Sequence, residues 1–527
     1  MTRRTWTLVA VVLGSGIVFL DSTIVNVALR AIGEQLPASV VGVLEGQSYI
    51  VNGYLLSLSA LLILAGALAD RFGRRRLFVI GLSGFGIASL ACGLAPTMEV
   101  LILARLAQGA FGALLVPTSL ALINANFDGA DRGRAFGIWA AATSALTIFG
   151  PPLGGFLIDT FGWRVAFLIN VPLVAVGVWI AINRLAESRN PEEPKRFDLI
   201  GAVAVAVAVG GLAYGATRGQ EQRWQDPIAW AALVIGAVAT VALIPLMTRR
   251  RDPLVPPQLF SSRNFTVTNI STLLIYGALY VYSYYQALFL QGTLGYTALA
   301  SGLAGLPISV AIAALSTTFG HMAGRYGPRR FMAIGPAFMA AGLLWFIRIP
   351  AGSQAWVASF SRPETLVPPV DYLVDVLPAV LLFAIGIAML VAPLTTALMT
   401  SVPVGNSGLA SAINNAVSRI GPVLAGALIF IGVTASFYAG LADRASGMDV
   451  NAPEVREHVP PLQEPPSSLT DAQRAAAVAS STDAFHLAML IAALLCIAGA
   501  AVNAVGIRDP APDERPPAPE SASTAGA

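Results

Sequence analysis

Gly66 to Arg76 reads GALADRFGRRR and lies between two long apolar runs. A weaker copy, GHMAGRYGPRR, occupies Gly320 to Arg330 and also lies between apolar runs. Glycines permit the tight turn that a short loop between two membrane helices needs, and arginines hold such a loop on the cytoplasmic side of a bilayer. The duplication therefore predicts a membrane protein built from two related halves, each with one such loop.

Composition agrees with a membrane protein. The chain has 527 residues, of which 56% are apolar and only 12% are charged, and its mean hydropathy is +0.70. This is too little charge to coat a soluble globule of this size, so we predict a polytopic all-α membrane protein. The net charge of +3 comes from arginines scattered through short loops, which argues against a nucleic-acid partner.

Few residues suggest a chemical site. Cys92 and Cys496 lie within apolar runs and are interpreted as buried hydrophobic residues, without a disulfide. The three histidines are dispersed along the chain and indicate neither a metal site nor a catalytic triad. A nucleotide-binding loop of the type GxxxxGK[ST] is missing from the sequence, so we expect no direct coupling to ATP. We predict no enzyme activity and no cofactor.

Fourteen apolar runs are each close to the roughly 20 residues that a helix needs to cross a bilayer. Their order is six spans, then two made almost entirely of small and aliphatic residues, then six. The N-terminus starts like a signal peptide, but its apolar run continues past Asp21 without a small-residue cleavage site, so we interpret it as a retained first span. The predicted spans cover about 7–28, 47–68, 77–95, 99–122, 134–158, 164–183, 198–217, 228–247, 266–290, 299–321, 331–349, 376–399, 408–433 and 484–506.

Positive charge predicts the orientation of these spans. With the N-terminus inside, 21 of the 32 Lys and Arg residues fall on the cytoplasmic side, nine fall on the opposite side and two lie within spans. This inequality places both termini in the cytoplasm. The predicted domains are an N-terminal six-helix bundle (1–190), two linker spans (191–250), a C-terminal six-helix bundle (251–508) with a long external loop (434–483), and a disordered cytoplasmic tail (509–527).

Two charged residues lie inside apolar stretches of the first half. Asp21 stands in LDSTIVNVAL of the first span, and Arg105 stands in LILARLAQGAFG of the fourth span, one turn before Gln108. An ionisable side chain inside the bilayer is costly, so a functional role is the default hypothesis. We predict that Asp21 and Arg105 couple transport to protons. The alternatives are an Asp21 satisfied by water near the outer interface and an Arg105 that snorkels to an interface.

The fifth span combines glycines and prolines in AATSALTIFGPPLGG, from Ala141 to Gly155. Glycines permit close helix approach, and prolines remove backbone donors and bend a helix. A glycine-rich face is by itself usually a packing feature. The G-P-x-x-G-G pattern in the fifth span, however, is similar to the antiporter motif of exporters in the major facilitator superfamily.

Five stretches together resemble the fourteen-helix drug:proton antiporters of that superfamily: LDSTIVNVAL, GALADRFGRRR, LILARLAQG, GPPLGG and GWRVAFLINVP. The resemblance implies the major facilitator fold, with two six-helix bundles and two extra central helices. It also implies that Asp21 is the acidic residue of the first helix and Arg105 the proton-relay arginine. The gating loop implied by the resemblance comprises Gly66, Asp70, Arg71, Gly73, Arg74 and Arg75, and the antiporter hinge comprises Gly150, Pro151, Gly154 and Gly155.

The chain departs from the pattern in its second loop copy. Gly324 stands at the position that Asp70 occupies in the first copy. We therefore expect the second loop to lack the carboxylate contacts of the first.

Candidate substrate contacts lie in both halves. The tyrosines of the ninth span recur every four residues and so share one helix face, where their rings could line a cavity or belong to an interfacial aromatic belt. Arg419 in the thirteenth span could line the same pathway or pair with a structural partner. The predicted cavity residues are Asn26, Gln108, Tyr276, Tyr280, Tyr284, Asn414 and Arg419.

The first functional hypothesis is a proton-driven exporter of small amphipathic organic compounds, located in the plasma membrane and active as a monomer. Its partners would be the substrate, protons and membrane lipid, with the proton motive force as the energy source. A second hypothesis is a permease or exporter for one endogenous metabolite, and a third is a membrane sensor that transports nothing. A sensor would not need Asp21, Arg105 and the gating loop together.

Overall fold

A computed structural model of the chain describes residues 2–37, 43–188, 198–221, 226–250, 253–359, 362–445 and 447–509. Within these ranges the chain is helical, and the only β-bridge joins Ser359 to Arg362. The helices are α1 (Arg3–Gln35), α2 (Val43–Phe72), α3 (Arg74–Gly93), α4 (Met98–Gly112), α5 (Leu115–Asn126), α6 (Gly129–Phe161), α7 (Val165–Leu168), α8 (Asn170–Arg184), α9 (Leu199–Glu221), α10 (Pro227–Arg249), α11 (Gln258–Ser261), α12 (Arg263–Leu288), α13 (Ala298–Tyr326), α14 (Arg329–Phe346), α15 (Leu377–Thr400), α16 (Ser407–Arg444), α17 (Pro453–His458) and α18 (Asp471–Gly506).

Helices underlie all fourteen predicted spans. Twelve helical segments of the described chain are long and apolar enough to cross a membrane, and two of these are the linker helices α9 and α10. The other two predicted spans, 134–158 and 331–349, coincide with α6 and α14. The fourth span is α4 followed directly by α5, and the sixth is the short α7 followed by α8.

Local sequence explains where many helices begin and end. Thr2, Thr97 and Thr297 each accept a backbone N–H through their hydroxyl at a helix N-terminus, and α18 begins with a capping box of Thr470 and Gln473. The breaks between α2 and α3 and between α13 and α14 lie at glycines with positive φ. These are Gly73 (φ 108°) and Gly327 (φ 90°), the matching glycines of the two copies of the loop sequence.

The helices form two six-helix halves with a hairpin beside them. In the N half, α1 packs on α6 and α2 packs on α4, while in the C half α12 packs on α16 and α14 packs on α15. The hairpin of α9 and α10 is held by backbone contact, because a Cβ on Gly236 would lie 2.5 Å from the amide nitrogen of Leu212. Helix α9 also packs on α2 of the N half and on α16 of the C half.

The two halves meet near one face of the bundle. This basic face carries Arg4, Arg74, Arg263 and Arg329, and the opposite loop face carries the segments 347–359, 362–371 and 447–470. A single apolar core at the basic face includes Leu77 and Phe127 of the N half together with Leu398, Leu409 and Ile413 of the C half. A separate core around Ile24, Ile32, Trp163 and Phe167 contains only N-half residues.

The predicted external loop 434–483 is shorter in the structure. Helix α16 continues to Arg444 and α18 already begins at Asp471, so helix occupies both ends of the predicted loop, and α17 lies between them. The helices extend beyond the apolar runs because polar residues at their ends lie outside the hydrocarbon core and still form helical hydrogen bonds. Residues 510–527 of the predicted tail lie outside the described part of the chain.

Candidate functional site

Asp21 lies in α1 at the centre of a buried polar network. Its side chain is fully buried. One carboxylate oxygen accepts a hydrogen bond from Arg105 Nη1 at 2.5 Å, and the other accepts from Gln108 Nε2 at 3.0 Å and from Asn170 Nδ2 at 2.9 Å. Asp21 is therefore not a helix-end carboxylate satisfied by water.

Arg105 lies in α4 and is also fully buried. Besides Asp21, its guanidinium donates to Gln108 Oε1 at 2.7 Å and to the carbonyl of Ile50 at 3.2 Å. The guanidinium carbon stands 4.1 Å from the ring centroid of Tyr54, which places the cation over an aromatic face. The side chain does not snorkel to an interface, and Gln108 belongs to this network.

Sequence reasoning missed several members of the network, among them Ser89 of α3 and Asn170 of α8. The Ser89 hydroxyl accepts hydrogen bonds from Gln108 Nε2 at 3.1 Å and from Asn170 Nδ2 at 3.0 Å, and it donates to the carbonyl of Phe167 at 2.9 Å. Asn170 was detectable as an amide within the apolar stretch GWRVAFLINVP. Nothing distinguishes Ser89 in the sequence, because serine is common in membrane helices.

Asp70 lies at the end of α2 and joins the two halves at the basic face. Its carboxylate accepts from Arg74 Nε at 3.0 Å and Nη2 at 2.9 Å, and also from the backbone N–H groups of Gly408 at 3.2 Å and Leu409 at 2.8 Å. These two N–H groups belong to the first turn of α16, so Asp70 caps a helix of the other half and stabilises its dipole. Arg74 in turn donates to the carbonyls of Val404 and Gly405.

The remaining gating-loop residues have distinct places. Arg74, rather than Arg71, is the guanidinium bonded to Asp70, while Arg71 stands over the ring of Phe72. Gly66 packs against α16, because a Cβ there would lie 2.5 Å from both the carbonyl oxygen of Gly408 and the Cβ of Ala412.

Both loop copies end with the same type of cap. After Gly73, the carboxylate of Glu187 accepts the backbone N–H groups of Arg75 and Arg76, each at 3.1 Å. After Gly327, the carboxylate of Asp509 accepts the N–H of Arg329 at 3.0 Å. The two copies therefore match in local structure, although Gly324 leaves the second copy without a counterpart of Asp70.

The glycines of the predicted hinge differ in their surroundings. A Cβ on Gly150 would lie 1.8 Å from Thr23 Oγ1 of α1, and one on Gly154 would lie 3.1 Å from Ile24 Cγ2. A Cβ on Gly155 would have no neighbour within 4 Å. Gly150 and Gly154 therefore permit the close approach of α6 to α1, and Gly155 does not contribute to it. Pro151 lies in α6, but its side chain is outside the described part of the structure.

The tyrosines of α12 divide between two environments. Tyr280 and Tyr284 stack with ring centroids 5.8 Å apart and line a cavity of about 730 Å³ near the loop face, together with Leu462, Gln463 and Glu464. Tyr276 lies one turn deeper on the same helix and is half-buried. The stacked pair thus lines a cavity near the loop face, and its assignment to the substrate pathway stays a prediction.

The predicted polar residues of α16 also differ in their surroundings. Asn414 donates to Asn269 Oδ1 at 3.2 Å and to Thr272 Oγ1 at 2.8 Å, so it holds α16 to α12. Arg419 is half-buried and makes no hydrogen bond or ion pair with any residue that the structure describes. The side chain of Asn26 lies outside the described part of the structure.

These features can be compared with known proteins. Residues 11–426 match the family described as Major Facilitator Superfamily. The chain belongs to the major facilitator superfamily. It is therefore a multi-pass membrane transport protein and not an enzyme, as the sequence predicted.

Three relatives carry names related to drug resistance. The chain is 36% identical over 424 residues to the multidrug resistance protein Stp of Mycobacterium tuberculosis (strain ATCC 25618 / H37Rv), with 80% of this chain and 74% of Stp covered. It is 33% identical to the puromycin resistance protein pur8 of Streptomyces alboniger, with 84% of each covered. It is 29% identical to the tetracenomycin C resistance and export protein of Streptomyces glaucescens, with 99% of this chain and 96% of that protein covered.

Solved structures support the fold. The human organic anion transporter MFSD10 (TETRAN) superposes with a TM-score of 0.57 at 14% identity, with 94% of this chain and 100% of that chain covered. The proton:xylose symporter XylE superposes with a TM-score of 0.53 at 15% identity, with 94% of each covered. At this identity the likeness concerns the major facilitator fold alone, which the sequence predicted.

Proposed function

We propose that this transporter exports small amphipathic organic compounds in exchange for protons. It would act as a monomer in the plasma membrane with both termini in the cytoplasm, so that the basic face is the cytoplasmic face. The resistance proteins among its relatives favour drugs and antibiotics as substrates. The observation that carries proton coupling is the fully buried ion pair of Asp21 and Arg105, a costly arrangement inside a bilayer.

Proton binding at Asp21 would change the network around it. The carboxylate is the only negative charge that faces Arg105 among the contacts of the described network. When a proton neutralises it, Arg105 keeps its positive charge without compensation, which is unfavourable in a buried site. The helices α1 and α4 that carry the pair would then favour a different arrangement, and proton loading would shift the conformational equilibrium.

Alternating access would use the contacts at the basic face. The N half (1–190) and the C half (251–508) would rock about a central site while the linker hairpin (191–250) stays beside them. The cap that Asp70 places on α16, together with the packing of Gly66 on Gly408 and of Gly133 on Gly320, holds this face closed. These contacts must break before a central substrate site can open to the cytoplasm.

Asp70→Asn is expected to slow transport about tenfold while changing substrate affinity less than twofold. The amide retains one acceptor oxygen but loses the charge that binds Arg74 and the α16 dipole, and charged hydrogen bonds are each worth about 1.5–3 kcal/mol. Binding and transport should be measured on the same reconstituted protein.

Asp128→Asn is the matched control for this substitution. Asp128 also lies at the basic face, but its side chain is 83% exposed and its pairs with Arg4 and Arg132 are long, so its loss should have little effect. Equal losses of binding and transport in Asp70→Asn, or no loss of either, would contradict the gating role.

Efflux from energised vesicles tests the proposed function itself. Everted vesicles that contain the protein should accumulate a fluorescent amphipathic dye when an imposed pH gradient makes the lumen acidic, and an uncoupler should stop the accumulation. Transport in the opposite direction would favour the metabolite permease. Dye accumulation at the same rate with and without the pH gradient would exclude proton exchange.

A further inference from the structure

Arg419 is a charged side chain deep in the membrane that the proposed proton coupling does not use. It lies twelve residues after Ser407, the first residue of α16, which corresponds to about 18 Å along the helix axis from the basic face. Since the hydrocarbon core of a bilayer is about 30 Å thick, this position is close to the membrane centre. An arginine there is expected to have a charged or hydrogen-bonded partner, yet Arg419 makes no ion pair or hydrogen bond with any described residue.

The position of Arg419 is on the side of α16 that faces the N half. Its spacing puts it on the same helix face as Gly408 and Ala412, which pack on Gly66 of α2. The apolar core that both halves share extends to this level through Val18, Tyr54 and Ala416, yet Arg419 itself stays partly exposed. Tyr54 of α2, whose ring lies against Arg105, belongs to the same apolar core as Ala416 of α16.

The charges around Arg419 do not balance. Asp21 and Arg105 neutralise each other, and both Asp21 oxygens already accept hydrogen bonds from Arg105, Gln108 and Asn170. Tyr54 is neutral, so it does not compensate a guanidinium. Arg419 therefore leaves this part of the interface between the halves with one net positive charge among the described residues.

We propose that Arg419 is an anion-binding subsite, and that the exported compounds include amphipathic acids with an apolar body and one carboxylate, sulfonate or phosphate group. This inference rests on the proposed export function and narrows its substrate class. A guanidinium binds such groups through two parallel N–H donors, and the low dielectric of the site strengthens the contact. The same unbalanced charge disfavours cationic compounds.

Two dansyl probes that differ in one group test the inference. Dansylglycine carries a carboxylate, and dansylglycinamide replaces it with a neutral amide. Fluorescence titration of the purified full chain in nanodiscs of neutral phosphatidylcholine should give about tenfold tighter binding of the acid. Arg419→Gln should weaken binding of the acid about tenfold and leave the amide unchanged. Arg419→Lys keeps the charge but not the two parallel N–H donors. Its affinity for the acid should therefore lie between that of the unsubstituted protein and that of Arg419→Gln.

Arg348→Gln is the control, because it removes one positive charge from an exposed side chain at the loop face. It should bind both probes like the unsubstituted protein. Three results would overturn the inference. These are equal binding of both probes by the unsubstituted protein, an unchanged preference for the acid in Arg419→Gln, and an equal loss of affinity for both probes in Arg419→Gln. Because binding is measured without transport, a preference for the acid in a protein that exports nothing would refute the proposed function and leave the subsite standing.

Discussion

Asp21→Asn is expected to reduce proton-driven efflux to the level of vesicles that lack the protein. The amide has nearly the same shape as the carboxylate, but it carries no titratable proton and no charge to face Arg105 at 2.5 Å. Removing one partner of a buried ion pair also costs roughly 3–5 kcal/mol of stability, so thermal unfolding in detergent should shift to a lower temperature. Dye efflux under an imposed pH gradient and a thermal unfolding curve on the same preparation are the measurements.

A double variant separates charge compensation from proton carrying. Asp21→Asn combined with Arg105→Gln restores a neutral network, so it should recover most of the lost stability and still show no coupled efflux. Asp483→Asn is the matched control, because this carboxylate pairs with Arg444 where both side chains are about half exposed and should tolerate the change. Coupled efflux in the single or double variant would remove Asp21 from the proton pathway.

Gly150→Ala is expected to lower the efflux rate about tenfold through a clash between α6 and α1. The new Cβ would lie 1.8 Å from Thr23 Oγ1 and 2.8 Å from Thr23 Cβ, so rotating the hydroxyl would not remove the overlap. The helices must move apart, and overpacking of this kind costs about 1–3 kcal/mol. The rate of dye efflux per inserted molecule is the measurement.

Two neighbouring glycines provide a graded control for Gly150. The same substitution at Gly154 places the Cβ 3.1 Å from Ile24 and should have an intermediate effect, while at Gly155 it meets nothing within 4 Å and should leave efflux unchanged. All three changes gain the same helix propensity, so a difference between them reports packing alone. Equal efflux in the Gly150 and Gly155 variants would show that the close approach is not needed for transport.

Much of the architecture could be predicted because membrane helices have strong local signals. Apolar runs of about 20 residues place the spans without tertiary information. The glycines that end α2 and α13 were visible as well, since Gly73 and Gly327 adopt a backbone conformation that favours glycine. The lengths of α16 and α18 were not predictable from hydropathy, because their ends continue into polar sequence.

The candidate site was likewise only partly predictable from the sequence. Asp21 and Arg105 were detectable individually, because a charge within an apolar run is rare, but their direct pairing joins residues 84 positions apart and depends on helix packing. Ser89 entered the network only through its position in α3. The pairing of Asp70 with Arg74 depends on the turn at Gly73, which brings the first residue of α3 back to the end of α2.

The sequence by itself determined which segments cross the membrane and which ionisable residues lie inside it, because both follow from the transfer cost of each residue along the chain. The tertiary structure alone decided which of those charges are compensated. Asp21 and Arg105 neutralise each other, and Asp70 is held by Arg74 and by the N-terminus of α16. Arg419 is left without a partner among the described residues, because compensation requires contact between helices that are distant in the sequence.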